Sequence, residues 1–303
     1  AFIRLEVFAS ISLIFLTSIG LSILIKEIFK INLSKKKSYS LRISSILILF
    51  ILFTIPLVYP TTNWISAVDF PPSILNGATA YPPTNDWPET LEWIKINTPE
   101  DSVFASWWDY GYWISTVADR TTLIDNATLS TKQIANMAQI FMSTPNEAWN
   151  LLTAWDVDYV VVFVAVQRLD GTTSEGNPIY VLNGGGDESK KSWFMRIADV
   201  DLSKYLESNQ RIATSYFWNE TLLGKMIPYN IEVYWNEEYQ EESKVFLEGF
   251  IPISVVEINY IDDGNYPLKL VYTSPSFNNE NIEKFGAVFV YEINKNFIPS
   301  NDD

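Results

Sequence analysis

Two stretches near the start of the chain, Val7 to Ile25 and Ile43 to Tyr59, run without a charge. At about 1.5 Å per residue, an uncharged helical run of about 17–20 residues is long enough to cross a hydrocarbon core of ~30 Å. One such run alone fits a buried core helix; two of them, separated by a short basic loop, predict a pair of transmembrane helices over residues 1–60. A removable signal peptide fits this start poorly. No initiator Met is present, Glu6 lies in the first segment, and no small-residue cleavage site precedes the second run. Pro60 to Trp87 then breaks the pattern with Pro71-Pro72 and Pro82-Pro83, which predicts an irregular segment over the membrane surface. Trp64 and Tyr81 suit the interface there.

Beyond Trp87 the periodicity is that of a folded domain. Leu91, Trp93 and Ile94 predict a short helix over Pro88 to Asn97, and Val103-Phe104-Ala105 a buried strand. Ile134, Met137, Ala138 and Phe141 recur at helical spacing in Thr131 to Met142, and a second helix follows over Pro145 to Trp155. Asp158 to Val166 contains an unbroken apolar run from Tyr159 to Val164, as in a strand buried on both faces. These elements predict an α/β unit over residues 61–205. After Gly184-Gly185-Gly186 and Leu206 the pattern turns to strands at Ile231–Trp235, Lys244–Ile251, Ser254–Tyr260, Leu268–Thr273 and Ala287–Ile293. Asp262-Asp263-Gly264-Asn265 reads as a hairpin turn between two of them. The expected class is α+β: two transmembrane helices, a mixed α/β extracytoplasmic domain, and a β-rich C-terminal appendage over 206–303.

Charge orients this plan. The loop between the apolar runs holds Lys26, Lys30, Lys35, Lys36, Lys37 and Arg42 against one acid, Glu27. Positive charge in a short loop marks the cytoplasmic side, so a multi-pass protein of the cell membrane is expected, with everything after Tyr59 outside. The net charge of −15 repels phosphate backbones and argues against nucleic acid as a partner. With neither Cys nor His, the chain has no disulfide, thiolate zinc site or Ser-His-Asp triad. Any metal must be held by oxygen ligands, which suits Mg²⁺, Mn²⁺ or Ca²⁺.

Chemistry concentrates in Trp107-Trp108-Asp109-Tyr110-Gly111, directly after the Val103 strand. A hydroxyl both donates and accepts a hydrogen bond. A pocket with Asp109 as acceptor and an indole N–H as donor satisfies both capacities of a Ser or Thr side chain. An aromatic core patch ending in an Asp-Tyr-Gly turn explains the same residues, and on residue types alone it is the commoner situation.

The pentapeptide and its surroundings resemble the catalytic subunit of oligosaccharyltransferase, of the archaeal type, whose signature is WWDYG. The similarity runs through Asp86 to Trp93, Asn97 to Asp101, Trp107 to Tyr112, Leu123 to Thr128, Met142 to Pro145 and Asp156 to Val160. Weaker similarity extends towards both ends. The resemblance implies transfer of an oligosaccharide from a lipid-linked (polyprenyl or dolichol) phosphate donor to the Asn of Asn-X-Ser/Thr in an acceptor polypeptide. Trp107, Trp108 and Asp109 would bind the acceptor hydroxyl. A neighbouring D-x-x-K-x-x-x-M/I motif is matched by Asp187, Lys190 and Phe194, although Phe194 departs from the pattern and Met195 stands next to it. Their i, i+3, i+7 spacing puts the three on one helix face. Asp187 as a helix cap, with Phe194 in the core, is the plain alternative.

The resemblance also implies a divalent metal, Mn²⁺ or Mg²⁺, whose acidic ligands lie upstream, so that this chain is expected to hold acceptor-binding residues and neither catalytic residues nor metal ligands. Arg4, in Phe2-Ile3-Arg4-Leu5, would meet the donor phosphate, while snorkelling to headgroups is the usual explanation of such an arginine. Asn126-Ala127-Thr128 and Asn219-Glu220-Thr221 are acceptor triplets themselves, and Asn32-Leu33-Ser34 falls on the cytoplasmic side. The rival class is a membrane-anchored surface or glycan-binding protein without catalytic activity, which eleven Trp residues and an acidic β-rich end would suit.

Overall fold

The computed structural model describes residues 2–30, 34–58, 85–172, 176, 178–182, 185–208, 212–228, 230–236, 238–245, 247, 251–255, 266–278 and 284–299. The chain divides into two compact units, Ala1–Phe70 and Pro71–Asp303. Most of the Pro-rich stretch, the Asp262–Asn265 turn and residues 256–260 lie outside the described residues.

The first unit contains helices α1 (Phe2–Lys30) and α2 (Lys35–Val58). Arg42 joins them, donating from Nη2 to the Phe29 carbonyl at 2.8 Å and lying 4.9 Å from the Phe29 ring centre. Within α1, Ile11–Lys30 is long and apolar enough to cross a membrane, with a mean hydropathy of 1.9 and none of it buried. Among the described residues it is the one candidate span found, where two are expected.

The second unit opens with α3 (Asp86–Asn97), β1 (Val103–Ala105), α4 (Trp108–Thr116), β2 (Thr121–Thr122), α5 (Thr131–Met142) and α6 (Pro145–Ala154). It continues with β3 (Tyr159–Thr172), β4 (Pro178–Leu182), a 3-10 turn (Glu188–Lys190) and α7 (Lys191–Ile197). Three short helices follow, α8 (Leu202–Tyr205), α9 (Ser215–Glu220) and α10 (Leu222–Met226). The rest is β5 (Asn230–Asn236), β6 (Glu241–Ser243), β7 (Ile251–Val255), β8 (Leu268–Thr273) and β9 (Lys284–Ile293).

Local chemistry explains the helix starts. Ser130 accepts from the Gln133 N–H ahead of α5. Thr144 and Glu147 form a reciprocal capping box ahead of α6, with Pro145 in its first turn. The apolar stripe of α5 is buried as the spacing requires, with Met137, Ala138 and Phe141 fully covered.

All the described strands join one mixed sheet. β1 runs parallel to β2 and to β3, with Phe104 opposite Tyr159 and Ala105 opposite Val160. β9 lies antiparallel along β3 from Tyr159↔Glu292 to Gln167↔Lys284, and β8 pairs with β9. The far half of β3 pairs with β4, and the sheet continues through β7 and β5 to β6. The strands beyond residue 206 are therefore continuous with the α/β unit rather than an appendage to it. The reason is the length of β3: its fourteen residues provide pairing room for β1 and β4 as well as β9. Val160 to Val166 and Ala287 to Tyr291 are covered to within 1 % of full burial, so the last strand belongs to the central core.

Candidate functional site

β1 ends at Ala105, and after Ser106 the backbone passes through an extended Trp107 (φ −64°, ψ 149°) into α4. This turn sorts the motif by face. Trp107 points inward at 2 % exposure, its ring stacked on Trp108 at 4.0 Å and met edge-on by Phe194 at 4.4 Å. Tyr110 is equally buried and packs on Trp87 at 4.6 Å. Trp108 and Asp109 stay partly exposed. The run is thus an aromatic core patch on one side and a solvent-reachable edge on the other. Gly111 has a steric reason: a Cβ there would lie 2.5 Å from Asp125 Cα and from the Ile124 carbonyl oxygen.

The second motif reaches the first through charge. Asp187 is fully buried. Its Oδ2 accepts from the Phe163 N–H at 2.8 Å, and its Oδ1 accepts from the Tyr110 hydroxyl at 2.9 Å. Lys190 Nζ lies 2.8 Å from Asp109 Oδ2, 3.0 Å from the Tyr110 hydroxyl and 3.4 Å from Asp187 Oδ1. One ammonium therefore serves both carboxylates. Burial raises the Asp187 carboxyl above its usual value, opposed by the Lys190 charge and by the hydrogen bonds it accepts. Burial also pushes the Tyr110 phenol well up, reinforced by Asp187 and Asp109, so it stays a neutral donor.

Asp187, Lys190 and Phe194 do converge, though not along one regular helix. After Asp187, Glu188–Lys190 make a three-residue 3-10 turn, and only from Lys191 is the helix α. Asp187 makes no capping hydrogen bond, so the helix-cap explanation of this residue fails: its carboxylate is spent on Phe163 and Tyr110. Phe194 itself, fully buried, meets Trp107 and Phe141. Arg4 lies within α1, with its side chain outside the described residues.

Sequence reasoning missed two participants. Tyr110 was visible within the motif, but nothing local signalled that its hydroxyl would bind Asp187, 77 positions away. Asn126 was noticed only as an acceptor triplet. Its Nδ2 donates to the Asp109 carbonyl at 3.1 Å, and its Oδ1 accepts from the Tyr112 N–H at 3.2 Å. In the other triplet Asn219 is exposed, but the Thr221 hydroxyl is buried, donating to Phe217 O at 2.6 Å and accepting from Gly224 N at 3.0 Å.

Among the described residues no three Asp or Glu side chains gather closely enough to hold a metal ion, so the divalent metal finds no fitting ligand set there. A cavity of about 740 Å³ opens at the other end of β1, lined by Asp101, Asp156, Asp158, Glu292, Lys269 and Lys295 among others. It shares no residue with the two motifs.

Residues 99–174 match the family model described as the STT3/PglB/AglB core domain. Over 193 residues the chain is 32% identical to the dolichyl-diphosphooligosaccharide–protein glycosyltransferase subunit stt-3 of Caenorhabditis elegans, covering 60% of this chain and 23% of that protein. Over 115 residues it is 37% identical to subunit STT3 of Saccharomyces cerevisiae, covering 38% and 14%. The chain thus spans about a quarter or less of the length of these relatives. The C-terminal globular domain of an oligosaccharyltransferase from Archaeoglobus fulgidus is similar at 20% identity and a TM-score of 0.39, over 71% of this chain and 100% of that one, a likeness too loose to carry an argument. The resemblance carried by Trp107 to Gly111 and its neighbours holds: residues 99–174 of this chain are similar to the STT3/PglB/AglB core domain.

Proposed function

We propose that this chain serves an oligosaccharyltransferase, which moves an oligosaccharide from a lipid-linked phosphate donor to the Asn of Asn-X-Ser/Thr, and that it supplies the pocket for the acceptor hydroxyl. The observation that carries the reading is the edge formed by Trp108 and Asp109. The Asp109 side chain is 42% exposed and is held by Lys190 through Oδ2. Among the described residues the indole N–H groups of Trp107 and Trp108 are engaged by no protein acceptor. A carboxylate acceptor beside free donors is what a Ser or Thr hydroxyl needs. Lys190, held in turn by Asp187 and Tyr110, sets the position of that carboxylate, while Phe194 backs Trp107.

Arg4 is proposed as a contact for the donor phosphate. Residues 1–60 are proposed as two spans whose basic loop faces the cytoplasm, placing the second unit outside. Supporting α2 as the second span, Ile48, Phe50 and Leu52 are each more than half exposed, a surface that suits lipid better than water. An amide nitrogen is a poor nucleophile, so the reaction needs carboxylates and a divalent metal to hold the amide and stabilise the departing phosphate. The described residues offer no such set, and no step of the transfer is assigned to them. At the WWDYG patch the glycan-binding alternative is disfavoured by burial: Trp87 and Trp107, at 1% and 2% exposure, present no ring face for a sugar there.

The test is Asp109→Ala in the full-length enzyme with Asn-Ala-Thr and Asn-Ala-Ala peptides. Removing a charged acceptor of a hydroxyl costs about 1–3 kcal/mol, so the specificity constant for the Thr peptide should fall roughly ten- to a hundredfold. The fold should survive, and the preference for Thr over Ala should shrink. Unchanged preference in a destabilised variant would leave the motif as core packing only.

A further inference from the structure

We infer that Asn126, the first residue of an apparent acceptor triplet, is a positioning residue for the hydroxyl pocket and is not a glycosylation site. The inference rests on the acceptor-pocket reading above and adds a residue to it. Asn126 is half-buried beneath the first turns of α4. Its side chain bridges two backbone groups of that helix, the Asp109 carbonyl at 3.1 Å and the Tyr112 N–H at 3.2 Å. Only one amide orientation satisfies both, since a flip would set N–H against N–H and oxygen against oxygen.

The rest of the loop is built to keep Asn126 there. Asp125 Oδ1 accepts from the Ala127 N–H at 2.8 Å, and the Thr128 N–H donates to the Asp125 carbonyl at 3.1 Å. Thr128 takes a left-handed conformation at φ 51°, an uncommon one for a β-branched residue. The absence of a side chain at Gly111 lets the 124–125 backbone lie against α4. The loop therefore grips α4 along the side that carries Asp109 and fixes the rotation of the helix, and with it the direction of the Asp109 carboxylate towards Lys190. The Nδ2 atom that a glycan would occupy is the donor to Asp109. The Thr128 conformation also belongs to a tight turn, where an extended acceptor segment is not available.

The triplet and the amide can be separated by mutation. In the full-length enzyme, Thr128→Ala destroys the triplet and keeps the amide; Asn126→Ala destroys both; Asn126→Asp keeps the acceptor for Tyr112 and loses the donor to Asp109. Each is assayed with Asn-Ala-Thr and Asn-Ala-Ala peptides and a lipid-linked donor, alongside a thermal melt and mass spectrometry of the 126 peptide. Thr128→Ala should retain the parent's preference for Thr, and Asn126 should carry no glycan in the parent. Asn126→Ala and Asn126→Asp should lower that preference about two- to tenfold, the span of one neutral hydrogen bond, through KM more than kcat. Asn126→Asp provides the reading if the alanine variant does not fold. Full preference in both Asn126 variants, equal losses in Thr128→Ala and Asn126→Ala, or a glycan on Asn126 would each overturn the inference while leaving the pocket intact. A parent enzyme with no Thr preference would instead overturn the pocket reading and take this inference with it.

Discussion

The two ends of β1 hold the same ingredients, namely carboxylates, a lysine and aromatic rings, in different states of order. Where β1 begins, Asp158 accepts from the Val103 N–H at 2.8 Å and pairs with Lys295 at 2.5 Å. That lysine is 59% exposed and the pair borders the open 740 Å³ cavity. Where β1 ends, Lys190 is only 21% exposed and lies among Asp109, the buried Tyr110 hydroxyl and the fully buried Asp187. The first end has more space and more acids, yet its lysine sits largely in water, where its charge is screened and mobile. The second has little space but holds its charges in place by desolvated partners, so their direction is set before any ligand arrives. Recognition of one hydroxyl depends on direction, and cavity size is a poor guide to it.

The comparison breaks first if the second end proves tolerant of crowding. Gly111→Ala should gain helix propensity of about 1 kcal/mol at most, yet forces a Cβ to 2.5 Å from backbone atoms of residues 124 and 125. Backbone cannot swing aside as a long side chain can, so the clash should win, with a net destabilisation of about 3 kcal/mol, at the upper end for overpacked cores. A chemical-denaturation midpoint equal to the parent's would show that the loop is not held against α4.

Tyr110→Phe sharpens the same contrast at lower cost. It removes the donor to Asp187 and an acceptor from Lys190 while keeping the ring on Trp87. About 1–3 kcal/mol of stability should be lost, the range for leaving a buried polar partner unsatisfied. A double-mutant cycle with Asp187→Asn should show strong coupling; additive losses would mean that the hydrogen bond is not the source.

Asp187 also predicts a pH dependence. Its folded carboxyl is raised above the ordinary value of 3.8, so the native state binds the proton more tightly than the unfolded chain. The associated stability is fully present below the unfolded value and is lost as pH rises through the folded one. Melts of the parent and Asp187→Asn across the acid-to-neutral range should therefore show the parent's advantage declining as pH rises. An advantage that grows with pH would mean that Lys190 and the accepted hydrogen bonds outweigh burial.

The smallest effect is expected at the opposite end. Lys295→Ala removes an ion pair with an exposed lysine and should cost under about 1 kcal/mol, with acceptor preference unchanged. A loss of Thr preference there would draw the open cavity into the site.

Much of the second unit could be read locally, because its signals are local. The spacing of Ile134, Met137, Ala138 and Phe141 marks α5 with the boundaries found, and the β-branched run from Tyr159 marks β3, which continues to Thr172. Asp187, Lys190 and Phe194 were legible through the motif, but the 3-10 turn that aims them was not, since a shift between about 3.0 and about 3.6 residues per turn leaves no mark in residue types.

By itself the sequence determined the apolar helices, the main helices and strands of the α/β unit, and the identity of the WWDYG edge, because each rests on periodicity or on neighbours a few positions apart. Tertiary structure alone decided which strands share a sheet and which carboxylate faces which cation. β9 joins β3 across more than a hundred intervening positions, Tyr110 meets Asp187 across 77, and Asn126 meets Asp109 across 17. Such contacts require the intervening chain to be closed into a loop, and their partners are selected by sheet register and burial. No local pattern encodes either. This is why Asn126 reads as an acceptor triplet along the chain and as a clamp on α4 in space.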